Sequence, residues 1–440
     1  MMDMTKGKPS ALILKFALPM IIGNIFQQLY NVVDTIVVGK FIGKDALAAV
    51  GSSFAIVVFI TSIIIGLCMG AGVVFSNLYG SKDFHKLSKA VFTSFIFTMA
   101  ITIAIMVISL FFIDDILRLF RMPSELLYDG KTYLSIILKG LFFTFIYNAT
   151  TSLLRSLGDS KAPLYFLIIA AIINVILDLF FVLSLHMGVS GVAWATIIAQ
   201  LLSAILSLIY TYRKLPSIGF KFSNMAFDME LFKLSAKYSI LTSIQQSIMN
   251  FGILLVQGLV NTFGATVMAA FAAGVKIDSF SYMPVQDLGN AFSTYVAQNV
   301  GANEKQRVKE GLKAITKIII IFCIIVSSLI LIFSKELMLL FVSSSEKEVI
   351  SLGVEYISVV GIFYVLIGFL FMFYGFYRGM GYLNMSIILT IISLGTRVLL
   401  AYSLAPTVLG VKGIWFSIPI GWALADLIGF YFYRVKLSSR

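Results

Sequence analysis

Long apolar runs separated by short polar turns recur along the whole 440-residue chain. A helix advances only about 1.5 Å per residue, so about 20 apolar residues are needed to cross a hydrocarbon layer about 30 Å thick. Twelve runs reach that length, near residues 12–36, 46–78, 88–113, 131–153, 162–185, 189–212, 234–262, 265–298, 314–334, 350–377, 382–404 and 413–433. The pattern predicts an all-α integral membrane protein of twelve transmembrane helices. Composition agrees: 59% of residues are hydrophobic, 12% are charged and the mean hydropathy is +0.98, a balance that excludes a soluble core with a wetted surface. The first run continues straight into spanning sequence, so it reads as a retained span and not as a cleavable signal.

Charge then sets the expected orientation. Of the 33 Lys and Arg, 22 fall in the loops that share a side with both termini, eight (Lys40, Lys44, Arg118, Arg121, Lys131, Lys335, Lys347 and Lys412) fall opposite, and Lys139, Lys276 and Arg397 lie within spans. Cytoplasmic loops carry the excess of basic residues, which places both termini, including Arg440, in the cytoplasm of a cell-membrane protein. The net charge of +12 is then mainly a topology signal with attraction to anionic lipid heads, and nucleic acid is not an expected partner. Cys68 and Cys323 lie in apolar runs and read as small core residues, while His85 and His186 have no metal-ligand spacing. Gly130-Lys131-Thr132 imitates the tail of a phosphate loop, but Glu125 stands where that motif needs glycine, so no enzyme activity or ATP-driven pump is expected.

The chain also repeats itself. Gln27-Gln28 matches Gln245-Gln246, and Ala48-Ala49 matches Ala269-Ala270. Gly80-Ser81-Lys82-Asp83 matches Gly301-Ala302-Asn303-Glu304 at an offset of 221, and Tyr133, Arg155 and Gly158 match Tyr356, Arg378 and Gly381 at 223. Gly188-Val189-x-Gly191 matches Gly410-Val411-x-Gly413. Two halves of six spans in the same orientation imply a parallel repeat, with two six-helix lobes related by a pseudo-two-fold axis along the membrane normal. The expected division is an N-terminal lobe over 1–212, a polar cytoplasmic linker over 213–233 with Pro216 and Gly219, and a C-terminal lobe over 234–440.

Several motifs resemble the multidrug and toxic compound extrusion (MATE) family of cation-coupled antiporters. They are Pro19 followed by Gln27-Gln28, Asp34-Thr35 and Gly39; Leu154-Arg155-x-x-Gly158-Asp159-x-x-x-Pro163; Asn174-x-x-x-Asp178; Gly188-Val189-x-Gly191-Val192-Ala193-x-Ala195-Thr196; and Gln298-Asn299-x-Gly301-Ala302. The resemblance spans nearly the whole chain and rests on the order of the motifs more than on any one of them.

An ionisable group at membrane depth is costly unless it is used or paired. Asn24, Gln27, Asn31 and Asp34 share one face of the first span, and Asn174 and Asp178 stack four residues apart on the fifth. Oxygen ligands of this kind suit Na⁺, whereas a desolvated carboxylate suits H⁺; both readings stand, beside a structural one in which the groups only join helices. The resemblance implies that Asp34, Asn174, Asp178 and Thr196 converge as the coupling-cation site, with no other cofactor. The second half repeats the stripe as Gln246, Asn250, Gln257 and Asn261, but the position matching Asp34 falls on or beside Gly252, and Asn174 aligns within a residue with Arg397. Arg397 is expected either to neutralise an acid such as Asp426, to repel substrate or to act structurally. Lys276, Asp278 and Asp287 form the densest charge group within a span. Gln27, Asn31, Gln246, Asn250, Asp278, Asp287, Tyr364 and Tyr374 are candidates for the substrate cavity, aromatic faces suiting flat organic cations. Gly66-x-x-x-Gly70 reads as a helix-packing motif, and Pro19 as a place for the first span to bend.

The expected activity is secondary active antiport of organic, cationic and amphipathic drugs or toxins against Na⁺ or H⁺, by alternating access in a monomer embedded in the bilayer. The alternative is a flippase for a lipid-linked saccharide, which would need a cavity rich in Arg and Lys. A channel would need pore symmetry or a filter motif.

Overall fold

The computed structural model describes residues 1–120 and 122–437, so Arg121 and Arg440 lie outside the described residues. Each half of the chain lays down the same eight helices. The first half contains α1 (Pro9–Val37), α2 (Lys44–Gly80), α3 (Phe84–Phe111), α4 (Ile113–Leu119), α5 (Leu127–Lys139), α6 (Leu141–Ser156), α7 (Lys161–Leu179) and α8 (Gly188–Lys214). The second contains α9 (Met229–Asn261), α10 (Ala265–Gly301), α11 (Lys305–Ile332), α12 (Ser334–Leu339), α13 (Lys347–Gly361), α14 (Tyr364–Gly379), α15 (Leu383–Leu404) and α16 (Val411–Phe432). Among the described residues, nine helical segments are long and apolar enough to cross a membrane singly, and the pairs α5/α6 and α13/α14 each qualify as one bent crossing. That makes up to eleven crossings where twelve were expected; α10, as long as α2 at 37 residues, carries Lys276, Asp278 and Asp287 and is not apolar enough to qualify.

The repeat extends to the backbone of the turns. Gly43 (φ 132°) and Gly264 (φ 91°) precede α2 and α10, Lys82 (φ 57°) and Asn303 (φ 60°) follow them, and Gly158 (φ 82°) pairs with Gly381 (φ 83°). Positive φ is steeply unfavourable for a residue with a Cβ other than Asn or Asp, so Lys82 holds its conformation because its neighbours require the turn. Asp83, next along, accepts the Lys86 amide at 2.9 Å and caps α3.

Spans four and ten, expected to be continuous over 131–153 and 350–377, are broken instead. They bend by 45° between α5 and α6 and by 52° between α13 and α14. At the first break stands Gly140, a poor helix former, and a Cβ there would lie 2.5 Å from Ile197 of α8. The missing side chain both weakens the helix and admits its neighbour.

Contacts gather the chain into two compact units, one of Met1–Asp3 with Leu18–Gln246, the other of Met4–Ala17 with Ser247 onward. These units and the lobes expected from the repeat divide the chain differently, because the units part within α1 and α9 and not at the linker. The linker is bound into the first unit. Leu215 and Phe220 pack with Leu87, Val91 and Leu153, and the Asp228 amide donates to Thr93 Oγ1 at 3.1 Å. The start of α9 then docks on α2. Ser239 and Ser243 donate to the Leu67 and Ile63 carbonyls at 2.8 and 3.0 Å, where Gly66 and Gly70 let the backbones meet. In the second unit Met4 is fully buried. Its amide donates to Gln298 Oε1 at 3.0 Å, and its carbonyl accepts from Asn299 Nδ2 at 3.1 Å and from Arg307 Nη2 at 3.2 Å.

A Cβ on Gly70 would lie 2.5 Å from the Ser239 Cα, which is backbone and cannot swing away. Gly70→Ala is therefore expected to destabilise the protein by ~1–3 kcal/mol, the range for overpacking. Gly51→Ala, with nothing within 4 Å, should leave the thermal midpoint of the purified protein unchanged.

Asp228 supplies a second test. Its carboxylate is held below the ordinary value of 3.8 by the Leu231 amide, and further by the Glu230 amide and Lys89, which lies 3.7 Å away. A lowered folded-state value gives stabilisation that is complete above pH 3.8 and is lost as pH falls through the lowered value. Asp228→Ala should thus lower the thermal midpoint at neutral pH and have a smaller effect at the acid end of the titration.

Candidate cation site

Four elements of the first unit bring the site together. Asp34 and Tyr30 come from α1, Tyr133 from α5, Asn174 and Asp178 from α7, and Thr196 and Gln200 from α8. On α1, four residues separate Tyr30 from Asp34 and place them on one face, as the same spacing does for Asn174 and Asp178 on α7. Asn174 and Asp178 are 1% and 0% exposed, while Asp34, Tyr30 and Thr196 are half-buried.

The carboxyl groups of Asp34 and Asp178 lie against each other, with the Tyr30 hydroxyl beside both Asp34 and Thr196. Two ionised carboxylates present each other only with lone pairs, so neither gains a hydrogen bond until a proton or a cation lies between them. The surrounding atoms share this condition. Both side-chain polar atoms of Asn174, both oxygens of Asp178, one oxygen of Asp34 and Gln200 Oε1 are buried without a hydrogen-bond partner. Thr196 donates to the Val192 carbonyl at 3.0 Å, which leaves its oxygen lone pairs for a neighbour. No Lys or Arg forms an ion pair with either acid among the described residues. A buried group left unsatisfied costs about 1–3 kcal/mol, so this cluster is an expensive arrangement unless something enters it.

The four residues expected to converge, Asp34, Asn174, Asp178 and Thr196, are therefore in one neighbourhood. Tyr30, Tyr133 and Gln200 were not picked out for it. Tyr30 carried a usable signal, since it stands one turn before Asp34.

The other candidates are dispersed. Gln27 is exposed, and Asn31 Nδ2 donates to Gln28 Oε1 at 3.2 Å. Gln246 closes the first unit and Asn250 belongs to the second. Asp287 is buried on α10, Tyr374 is buried with its hydroxyl beside Thr390, and Pro19 sits inside an uninterrupted α1.

The second half has its own buried group. Tyr356 donates to Asp278 Oδ2 at 3.1 Å, and Tyr364 lies beside the same carboxylate. Phe271 stacks on Trp415 at 5.5 Å, and Trp415 meets Tyr356 edge-on at 4.9 Å. The charge of Arg397 acts on Tyr356, Asp278 and Tyr282, and no ion pair within 4.0 Å holds it among the described residues. Both Asp426 oxygens are buried without a hydrogen bond. Lys276 points elsewhere, with Nζ 6.0 Å from the Phe341 ring centroid.

A duplicated all-helical chain with nine to eleven apolar spans among the described residues, and a buried oxygen-rich site in its first unit, has the features of a polytopic transporter. The MatE family model matches residues 19–180 and, a second time, 239–403, so the chain belongs to the MATE family. It is 28% identical over 440 residues to the probable multidrug resistance protein YoeA of Bacillus subtilis, covering 98% of this chain and 95% of that one. It is 25% identical over 433 residues to the FAD transporter of Shewanella oneidensis, covering 95% and 93%. Among solved structures, it shares the fold of an outward-facing multidrug resistance MATE family transporter of the MOP superfamily, at a TM-score of 0.93 and 24% identity over 99% of this chain and 98% of that one.

The unsatisfied amide of Asn174 yields a stability test. Asn174→Leu removes two buried orphan atoms at similar volume and should raise thermal stability by ~1–3 kcal/mol while abolishing whatever the site does. A purely structural amide would give the opposite sign in a melting experiment.

Proposed function

We propose that the protein is a secondary active exporter that exchanges organic, cationic and amphipathic compounds for Na⁺ or H⁺. One observation carries the reading: two carboxylates share a neighbourhood of unsatisfied polar atoms with no basic ion-pair partner among the described residues. The relatives named for multidrug resistance support the choice of cargo. Asp34 and Asp178 supply charge for the coupling cation, Asn174, Thr196 and Tyr30 supply neutral oxygens, and these donors suit a small hard cation or a shared proton.

Coupling requires that cation and drug prefer different states, since equal affinity for both states shifts nothing. Cation binding draws α1 toward α7 and α8 by satisfying groups on all three, and this reshapes the drug path in the first half. Pro19 removes one backbone donor from α1 and gives that movement a place to bend. Both termini lie on the cytoplasmic side, from which drug enters.

The test is dye efflux from proteoliposomes under separately imposed Na⁺ and pH gradients. Wild-type protein should extrude ethidium under one or both, and Asp34→Asn and Asp178→Asn should fall to the rate of empty liposomes at normal protein content. Gradient-driven extrusion by either variant overturns the assignment. A lipid-linked saccharide moved without soluble drug would favour the flippase.

A further inference from the structure

The repeat gives the second half a site of its own. Tyr133, near Asp34 and Asp178, is related by an offset of 223 to Tyr356, which donates to Asp278. The same offset carries Asn174 to Arg397. Both halves therefore build a buried carboxylate beside the same tyrosine. They differ in what stands at the third corner: a neutral amide in the first half, a guanidinium in the second.

The position of Arg397 is built in. A Cβ on Gly421 of α16 would lie 3.5 Å from the Arg397 Cβ, so that glycine lets α15 and α16 close around the arginine stem. No ion pair within 4.0 Å holds the guanidinium among the described residues, and its Nε is buried without a hydrogen-bond partner. Asp278 on α10 is the carboxylate on which its charge acts, and Asp278 Oδ1 is likewise buried without a hydrogen-bond partner. The tyrosines around the two are Tyr282 on α10, Tyr356 on α13 and Tyr364 on α14. The other charges nearby are otherwise directed: Glu355 pairs with Lys412 at 3.4 Å, and Lys276 lies over Phe341.

We infer that Arg397 is a tethered cation, whose guanidinium fills the second-half site that corresponds to the exchangeable cation site of the first half. The second half is thereby held permanently in the form that the first half adopts only when loaded. A free cation has no place beside Asp278, because a fixed positive charge already neutralises that carboxylate, and an unneutralised carboxylate in this setting would carry the full cost of a buried charge. Arg397 thus determines how many cations one transport cycle moves. The inference rests on the assignment of the first-half site to a coupling cation.

Two measurements test it. In equilibrium binding of radioactive Na⁺ at alkaline pH, where protons compete least, wild-type protein should bind one equivalent, lost on Asp34→Asn. Arg397→Asn, which restores the residue of the first half, should bind two; the added one should survive Asp34→Asn and disappear with Asp278→Asn. Arg397→Lys, which keeps a tethered charge, should stay at one. Independently, Arg397→Ala should gain thermal stability from millimolar guanidinium, and neither wild-type protein nor the Asp278→Asn/Arg397→Ala double variant should respond. This arm does not depend on which cation drives transport, and it still reports if Arg397→Asn folds only when a cation is supplied. If wild-type protein binds no Na⁺ while guanidinium rescue holds, the first-half assignment to Na⁺ fails and the tethered cation stands. If a folded Arg397→Asn protein binds no additional Na⁺, or guanidinium leaves Arg397→Ala unchanged, the inference is overturned.

Discussion

A charged or polar atom inside hydrocarbon must be satisfied by the protein itself, and this constraint organises the whole chain. It confines the backbone to helices, whose hydrogen bonds close within each segment. It also forces every buried side-chain donor or acceptor to find a partner on another helix, on its own helix, or in a bound ion. Several serine and threonine hydroxyls take the second route, as Thr98, Thr102 and Thr150 do by donating to carbonyls one turn earlier. Some buried atoms take none of these routes, and six of them stand together on Asp34, Asn174, Asp178 and Gln200. So many in one neighbourhood are an expense that a function would explain.

The duplication gives that expense a comparison within the same molecule. Both halves keep the helix count, the positive-φ turns and a tyrosine against a buried acid. One half leaves its acids facing orphan oxygens, and the other brings an arginine. Close helix crossings follow the same economy of small residues with different partners. Gly66 and Gly70 admit the start of α9, whereas a Cβ on Gly289 would lie 2.5 Å from the Phe371 carbonyl oxygen of α14. The repeat thus preserved geometry more closely than chemistry.

Much of this was legible in the residues. Most of the crossings follow from apolar length alone, though the structure supports nine to eleven among the described residues and not the twelve expected, and Asp34 and Asp178 stand out because a carboxylate cannot be overlooked in an apolar run. Tyr30 and Tyr133 are harder to read, since a tyrosine is equally at home facing lipid, packing in a core or presenting a hydroxyl to an acid. The breaks at Gly140 and between α13 and α14 were missed because hydropathy does not register a bend that keeps the run apolar. The partnership of Asp278 with Tyr356 and Arg397 was hidden for another reason. The three stand on α10, α13 and α15, and nothing in local spacing says that three helices far apart in sequence will meet.

The anchoring of Met4 has a consequence for how the protein is made. Its hydrogen-bonding partners Gln298, Asn299 and Arg307 lie about three hundred residues further along the chain. Synthesis proceeds towards the C-terminus at about 5–20 residues per second, so the segment around Met4 waits while about three hundred further residues are made before its binding surface exists. The start of α9 has the reverse fortune, for its seat on α2 is already in the membrane when it emerges. The contact of Met4 is thus made late, and its closure marks a molecule whose α10 and α11 have been delivered.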